Sequence, residues 1–329
     1  MKRICFTLLV GLAVFLMGVS IHADGYRYLF FEDFGDTVPP AFPTDWLQED
    51  ANTDGTIWHS REYGGFQGGD CARYLSTGIQ ANDWIFTPSI DLESGVEYTL
   101  SFKTRVSSGM THKLNACYGT TQDSGMLPNS IVHLTSITNL DAQETSATFT
   151  PSSTDAYYIG FHCHSDANQL AVFLDDVGVS VPEDDLTVQI KLDKISYSGS
   201  NSYSTTEEKK AMIILRNTGS SSIVANTLFT IGDSNDPHTV LSFIVKDPGG
   251  SLVSYYAKNK VAAPKAENFE TLAPGDCACK YFDLNNGGFD FSAPGIYTIQ
   301  VEYENLYKSE AGNEWRGKIV SDPVTIQIQ

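Results

Sequence analysis

The chain has 329 residues, with 40 Asp and Glu against 21 Lys and Arg and a formal net charge of −19. So large an excess of carboxylates excludes nucleic acid and anionic membrane surfaces as natural partners, because both would be repelled. The length allows about two domains, each able to bury a core of its own.

Residues 1–23 join a basic start at Lys2 and Arg3 to a short apolar run and small residues near Ala23. This pattern predicts a secretory signal peptide cleaved near Ala23. Cys5 precedes the apolar run, so it cannot serve as a lipoprotein cysteine. No later apolar run reaches spanning length, so no membrane insertion is expected after cleavage. Release, periplasmic retention and attachment to a bacterial surface all stay open.

Three acidic strings dominate the first half: EDF at Glu32, Asp33 and Phe34; NDWIFTP from Asn82 to Pro88; and LDDV from Leu174 to Val177. Each sets carboxylates beside a bulky apolar residue at a strand end, where acids distant in sequence can converge on a hard cation. Glu32, Asp33, Asp175 and Asp176 would repel one another if gathered without a cation. Asp175 and Asp176 cannot both point inward from one strand. Asp83 reads either as a further ligand or as a capping aspartate.

Between these strings, Asp50, Asn52, Asp54 and Gly55 copy the first half of an EF-hand loop, with oxygen ligands at alternate positions and glycine at the turn. Arg61 stands where that loop needs a bidentate Glu, so a plain turn competes with a second calcium site. The following stretch holds Trp58, His59, Tyr63, Phe66, Arg73 and Tyr74 among four glycines, Gly64, Gly65, Gly68 and Gly69. Glycines permit a mobile loop, and Trp58, Tyr63, Phe66, Arg73 and Tyr74 are candidates for stacking on a sugar or anchoring a protein. The competing reading is that these rings cover the sandwich edge.

Val96, Tyr98, Leu100 and Phe102 alternate with polar residues and predict a half-buried strand. His162 and His164 share one strand face, and a zinc site would need a third ligand from His112, His133 or Asp166. The five cysteines after the leader are Cys71, Cys117, Cys163, Cys277 and Cys279, an odd number that leaves at least one thiol unpaired in a monomer. Cys277 and Cys279 lie parallel on one strand face, a poor geometry for a mutual bridge.

The proline and three acids of SVPEDD interrupt the strand pattern, which places a boundary between domains 24–182 and 183–329. Strands follow at Leu186 to Leu192, Met212 to Leu215, Tyr297 to Tyr303 and Val324 to Ile328, the last expected to pair inside a sheet. The polar stretch from Asn201 to Lys210 reads as a loop. Helical periodicity is almost absent, so the chain is all-β, with β-sandwiches.

The ordered set EDF, PxxW ending at Trp46, EDANTDGTIW, NDWIFTPSIDL, YYIGF and FLDDV resembles the cleaved-adhesin, or choice-of-anchor, domains, and more weakly MAM domains. The resemblance implies a non-catalytic jelly-roll β-sandwich with structural calcium where the first and last strands meet. LRNTG, TLAPGD, FDFSAPGIYTIQVEYEN and WRGKIVSDPVTIQI in the second half resemble an immunoglobulin-like β-sandwich. Similar domains precede the catalytic unit of some deuterolysin-type metallopeptidases. HExxH does not occur, so peptidase activity does not carry over, and GxSxG and the Gly-rich phosphate loops are absent as well.

The expected function is therefore that of an exported, adhesin-like binding protein whose partner is a glycan or an extracellular or envelope protein. The alternatives are an accessory module of a surface protease or envelope assembly, and a carbohydrate-active enzyme.

Overall fold

The computed structural model describes residues 25–35, 37–66, 69–183, 185–194, 201–231, 239–255, 262–285, 288–307 and 313–329. The expected signal peptide, together with Gly68 and Asp184, lies outside them. Among the described residues the regular elements are strands and two short 3₁₀ turns, and no helix is long and apolar enough to cross a membrane.

The first half contributes β1 (Tyr26–Glu32), β2 (Leu47–Asp50), β3 (His59–Arg61), β4 (Cys71–Leu75), β5 (Asp83–Phe86) and β6 (Ile90–Leu92). It continues with β7 (Tyr98–Val106), β8 (His112–Gly119), β9 (Asn129–Ile137), β10 (Gln143–Phe149), β11 (Asp155–Cys163) and β12 (Ala171–Pro182). One layer runs β10–β7–β12–β1, with β4 and β3 joined to β12; the other runs β2–β5–β11–β8–β9, with β6 on β11. This is a jelly-roll β-sandwich in which the first and last strands, β1 and β12, are antiparallel neighbours.

Strict alternation builds the layers. Tyr98, Leu100, Phe102, Thr104 and Val106 of β7 turn inward while Lys103 and Arg105 turn out, the period-two pattern of a strand with one covered face. Phe102 meets Phe161 of the opposite layer edge to face at 5.2 Å. Both rings are fully buried, so truncating either to Ala would cost about 3–5 kcal/mol.

The second half contributes β13 (Leu186–Leu192), β14 (Asn201–Tyr203), β15 (Lys210–Asn217), β16 (Ile223–Asn226) and β17 (Leu241–Lys246). It ends with β18 (Phe269–Leu272), β19 (Cys277–Asp283), β20 (Gly295–Asn305), β21 (Gly317–Val320) and β22 (Val324–Ile328). Its buried residues, Leu186 through Ile328, form a core cluster that shares no member with the first-half cluster of Phe34 through Val179. β22 lies between β20 and β14. Asn201–Tyr203 is therefore a strand, not the expected loop: it pairs in parallel with β22, which places Tyr203 in the core.

The two halves share a sheet. Tyr26 and Arg27 of β1 pair with Lys318 and Gly317 of β21, so eleven strands form one continuous layer. Gly317 is required at this crossing, because a Cβ there would lie 2.2 Å from the Tyr26 carbonyl oxygen. Glu183 closes the seam: its Oε1 accepts from the backbone N–H of Asp185 and Leu186, and its Oε2 accepts from Trp315 Nε1 at 2.6 Å.

Candidate metal centre

Antiparallel pairing of β2 with β5 places Asp50 directly opposite Asp83. Beyond Asp50 the chain turns back on itself. Asp50 Oδ1 accepts from Asp54 N at 3.1 Å, its Oδ2 accepts from Gly55 N at 2.8 Å, and Asp54 Oδ1 accepts from Thr56 N at 2.7 Å. Gly55 takes φ +81, a left-handed conformation suited to glycine. Asn52 Nδ2 donates to Asp54 Oδ2 and to the Gln80 carbonyl, tying the turn to the segment before β5.

The turn brings one carboxylate oxygen each from Asp50, Asp54 and Asp83 within 4.8 Å of one another, and Asp83 is fully buried. Burial pushes the Asp83 carboxyl up to about 6; the Tyr74 phenol and the Asn82 N–H lower it, and Asp54 and Asp50 raise it. Asp83 Oδ1 and Asn52 Oδ1 are both buried with no hydrogen-bond partner. The Tyr74 hydroxyl, likewise buried, lies beside Asp83, close enough to lower its carboxyl.

Orphaned buried oxygens beside mutually repelling carboxylates are costly unless a cation completes them. The donor set is all oxygen, which suits a hard ion that takes six to eight oxygen ligands. Asp50, Asn52, Asp54 and Asp83 thus fit calcium, and the EF-hand-like half loop and the NDW aspartate belong to one site. In sequence they are separate motifs.

The expected seam is also assembled, with different partners. Glu32 stands in register with Val177, next to Asp176, and Asp33 is close enough to raise the carboxyls of both Asp175 and Asp176. Burial raises both of those carboxyls first, and for Asp175 the neighbouring Asp176 adds to it. Among the described residues these four acids do not bring three carboxylate oxygens together as Asp50, Asp54 and Asp83 do.

A lysine stands where the seam was expected to hold an ion. Lys103 Nζ pairs with Asp176 Oδ2 at 2.7 Å, and the field of Asp33 and Glu32 reaches the half-buried Arg316 guanidinium. Remaining oxygens are spent locally. Glu32 Oε1 accepts from Phe34 N, Asp33 Oδ1 from Gly35 N, and Asp175 from the N–H groups of Phe66 and Asp176. A β-bulge between Asp175 and Gly178, with Asp176 at φ +48, lets consecutive aspartates be held from different sides.

The aromatic stretch divides. Trp58 and Tyr74 are fully buried, 5.7 Å apart in the first-half core, with Trp58 Nε1 donating to the Asp83 carbonyl. They are walls of the carboxylate cluster and not contact residues, because Tyr74 falls on the inward parity of β4. Arg73, on the opposite parity, is half-buried, with Nε lacking a partner. Tyr63 and Phe66 reach solvent, at 80% and 37% exposure.

Gly65 serves close packing. A Cβ on Gly65 would lie 2.1 Å from the Asp70 carbonyl oxygen and 2.4 Å from Asp175 Oδ2, so glycine permits close approach to the sheet. Arg105 clamps the loop with two donations to the Gly64 carbonyl, and Lys103 sits 3.3 Å from the Phe66 ring centroid. Lys103 and Arg105 are the residues the motif reading missed. Their outward parity on β7 was legible, but their neighbours across β12 were not.

The histidines form a row instead of a cage. Trp84 and His162 stack at 4.2 Å, His162 and His164 lie 5.3 Å apart, and His164 and His133 5.7 Å apart. Asn82 takes the His162 Nε2, and Asn115 Oδ1 bonds both His164 and His133. His112 is buried against Ser165 and Gln169, while Asp166 pairs with Lys113. Neither supplies a third zinc ligand.

No protein-family profile and no curated protein matches the chain. Among solved structures it is similar to the K3 cleaved adhesin domain of Lys-gingipain from Porphyromonas gingivalis, at 17% identity and a TM-score of 0.40, over 48% of this chain and 99% of that domain. It is similar to the K1 domain of the same protein at 17% identity and a TM-score of 0.39, over 47% of this chain and 98% of that domain. A xylan-binding domain from Paenibacillus barcinonensis is similar at 11% identity and a TM-score of 0.36, over 49% of this chain and 99% of that domain. Cleaved adhesin domains are the group whose motif order the first half resembles.

Proposed function

We propose that the chain is an exported, non-catalytic binding protein whose jelly roll is stiffened by calcium and whose partner is a glycan or an extracellular or envelope protein. The observation that carries this reading is the pairing of three converging carboxylates with two buried, partnerless oxygens at Asp83 and Asn52. Calcium there would tie the 50–55 turn to β5 and stabilise the layer that carries it.

In this reading Tyr63 and Phe66, exposed on a loop clamped by Arg105 and Asp175, are the partner contacts, since a ring held in place loses little entropy on binding. The domains divide at 182/183. The second sandwich, read as immunoglobulin-like, serves as a spacer held to the first through β1 and β21.

The test is binding of the full chain to glycan and extracellular-protein arrays, with calcium and with chelator, alongside Tyr63→Ala and Phe66→Ala. The expected result is binding to one class that weakens in chelator and in both variants. Binding to neither class, or binding indifferent to both substitutions, would overturn the reading.

A further inference from the structure

β19 is an edge strand: among the described residues it pairs with β15 on one side and with no strand on the other. The bonds Asn217 N to Asp276 O and Leu284 N to Lys209 O set the parity of that ladder. Residues 278, 280 and 282 spend their backbone groups on β15, so those of Cys277, Cys279 and Tyr281 face the open edge. All three side chains are exposed and share the outward face of the sheet, and neither thiol is bridged.

We propose that this edge pairs antiparallel with the same edge of a second copy, about a two-fold axis at Ala278, and is locked there by two disulfides. That register sets Cys277 opposite Cys279 of the second copy, and Cys279 opposite its Cys277. On the other face it sets Asp276 opposite Lys280 in both directions, opposite charges whose groups within one chain bond the Ala273 N–H and the Leu228 carbonyl. The pattern Asp-Cys-Ala-Cys-Lys is self-complementary under a two-fold axis.

Distance selects the bridge between copies over one within a chain. Cα atoms two apart on one strand stand about 6.7 Å apart, at the limit a disulfide spans. Opposite residues of a hydrogen-bonded antiparallel pair stand about 5.5 Å apart between Cα atoms, inside the range a disulfide spans, and their Cβ atoms, also about 5.5 Å apart, close by about 1 Å to bridge. Each bridge joins Sγ of Cys277 to Sγ of Cys279 on the other copy. Two thiol protons and two electrons pass to a small-molecule disulfide, which is reduced to two thiols.

The test is oxidation of the full-length chain by glutathione disulfide, followed by non-reducing electrophoresis and peptide mapping. The expected product is a dimer that reducing agent dissolves and whose bridges map to Cys277–Cys279. Cys277→Ser and Cys279→Ser each remove it, because the remaining thiol faces serine. Lys280→Asp slows its formation by about tenfold, and Asp276→Lys with Lys280→Asp restores it. A chain that stays monomeric, bridges through Cys71, Cys117 or Cys163, closes Cys277 on Cys279 within one chain, or dimerises equally in the single variants overturns the proposal.

Discussion

Asp50 and Asp83 are direct cross-strand partners at the ends of β2 and β5, thirty-three positions apart in the chain, and one carboxylate oxygen of each lies within 4.8 Å of one from Asp54. Like charges opposite one another destabilise a strand pair, and a cation between them would relieve that repulsion. Calcium at about a hundredfold its dissociation constant should stabilise the native state by about 2.7 kcal/mol. Asp83→Asn should abolish that gain, and in chelator it should melt no lower than the wild type, because it removes a buried charge. Calorimetry with calcium and with chelator measures both effects.

The Lys103–Asp176 pair makes the opposite prediction for the seam. Asp176→Asn should leave the calcium response intact, whereas Asp50→Asn should remove it. Lys103→Met, which strands the half-buried Asp176, should cost about 1–3 kcal/mol, and Asp176→Asn in the same chain should recover part of that loss. A calcium response lost in Asp176→Asn would return the ion to the seam.

What the sequence made legible follows from period and parity. Alternation identified β7, β13, β20 and β22, and the pairing of β1 with β12, which sets Glu32 opposite Val177, followed from the first and last strands of a jelly roll being neighbours. The union of the 50–54 turn with Asp83 was not legible, because it depends on which strands pair and in what register. Trp58 and Tyr74 were misread for the same reason: an aromatic among glycines looks exposed until the parity of its strand is known. The strand at Asn201–Tyr203 carries too few residues to show any period.

The acid response of the metal-free protein follows from carboxyls that burial raises, those of Asp83, Asp175, Asp176 and Glu304, set against imidazoles that burial lowers, those of His112, His162 and His164. Asp83 titrates at about 6 in the fold against 3.8 when exposed, and burial raises Asp175 in the same direction. Both carry an unfavourable charge at high pH that is relieved as pH falls, so stability in chelator should rise on acidification from pH 8. His162 opposes this. Burial, with His164 beside it, holds His162 at about 4 against 6.5, so the unfolded chain gains its proton first and stability falls from 6.5 towards 4. The melting temperature in chelator should therefore climb from pH 8, with His162 offsetting part of the climb below pH 6.5, and His162→Gln should steepen it there. With calcium present the order reverses, because a bound ion competes with the Asp83 proton and the calcium increment should shrink below pH 6.

The seam between the halves predicts how the whole chain melts. Glu183 is nearly buried and satisfies two backbone N–H groups of the following segment and the Trp315 indole, with Arg27 3.5 Å away. Glu183→Ala leaves these donors in a dry junction and should cost about 3–5 kcal/mol, while Trp315→Phe, which removes one charge-assisted bond, should cost about 1.5–3 kcal/mol. Gly317→Ala attacks the same junction through the backbone, since its Cβ has no room beside Tyr26. Coupling through β1 and β21 should make the wild type unfold in one calorimetric transition. Each junction variant should split it into two, with the calcium-dependent one belonging to the first sandwich. A junction variant that still melts in a single step would show that the shared sheet does not couple the halves.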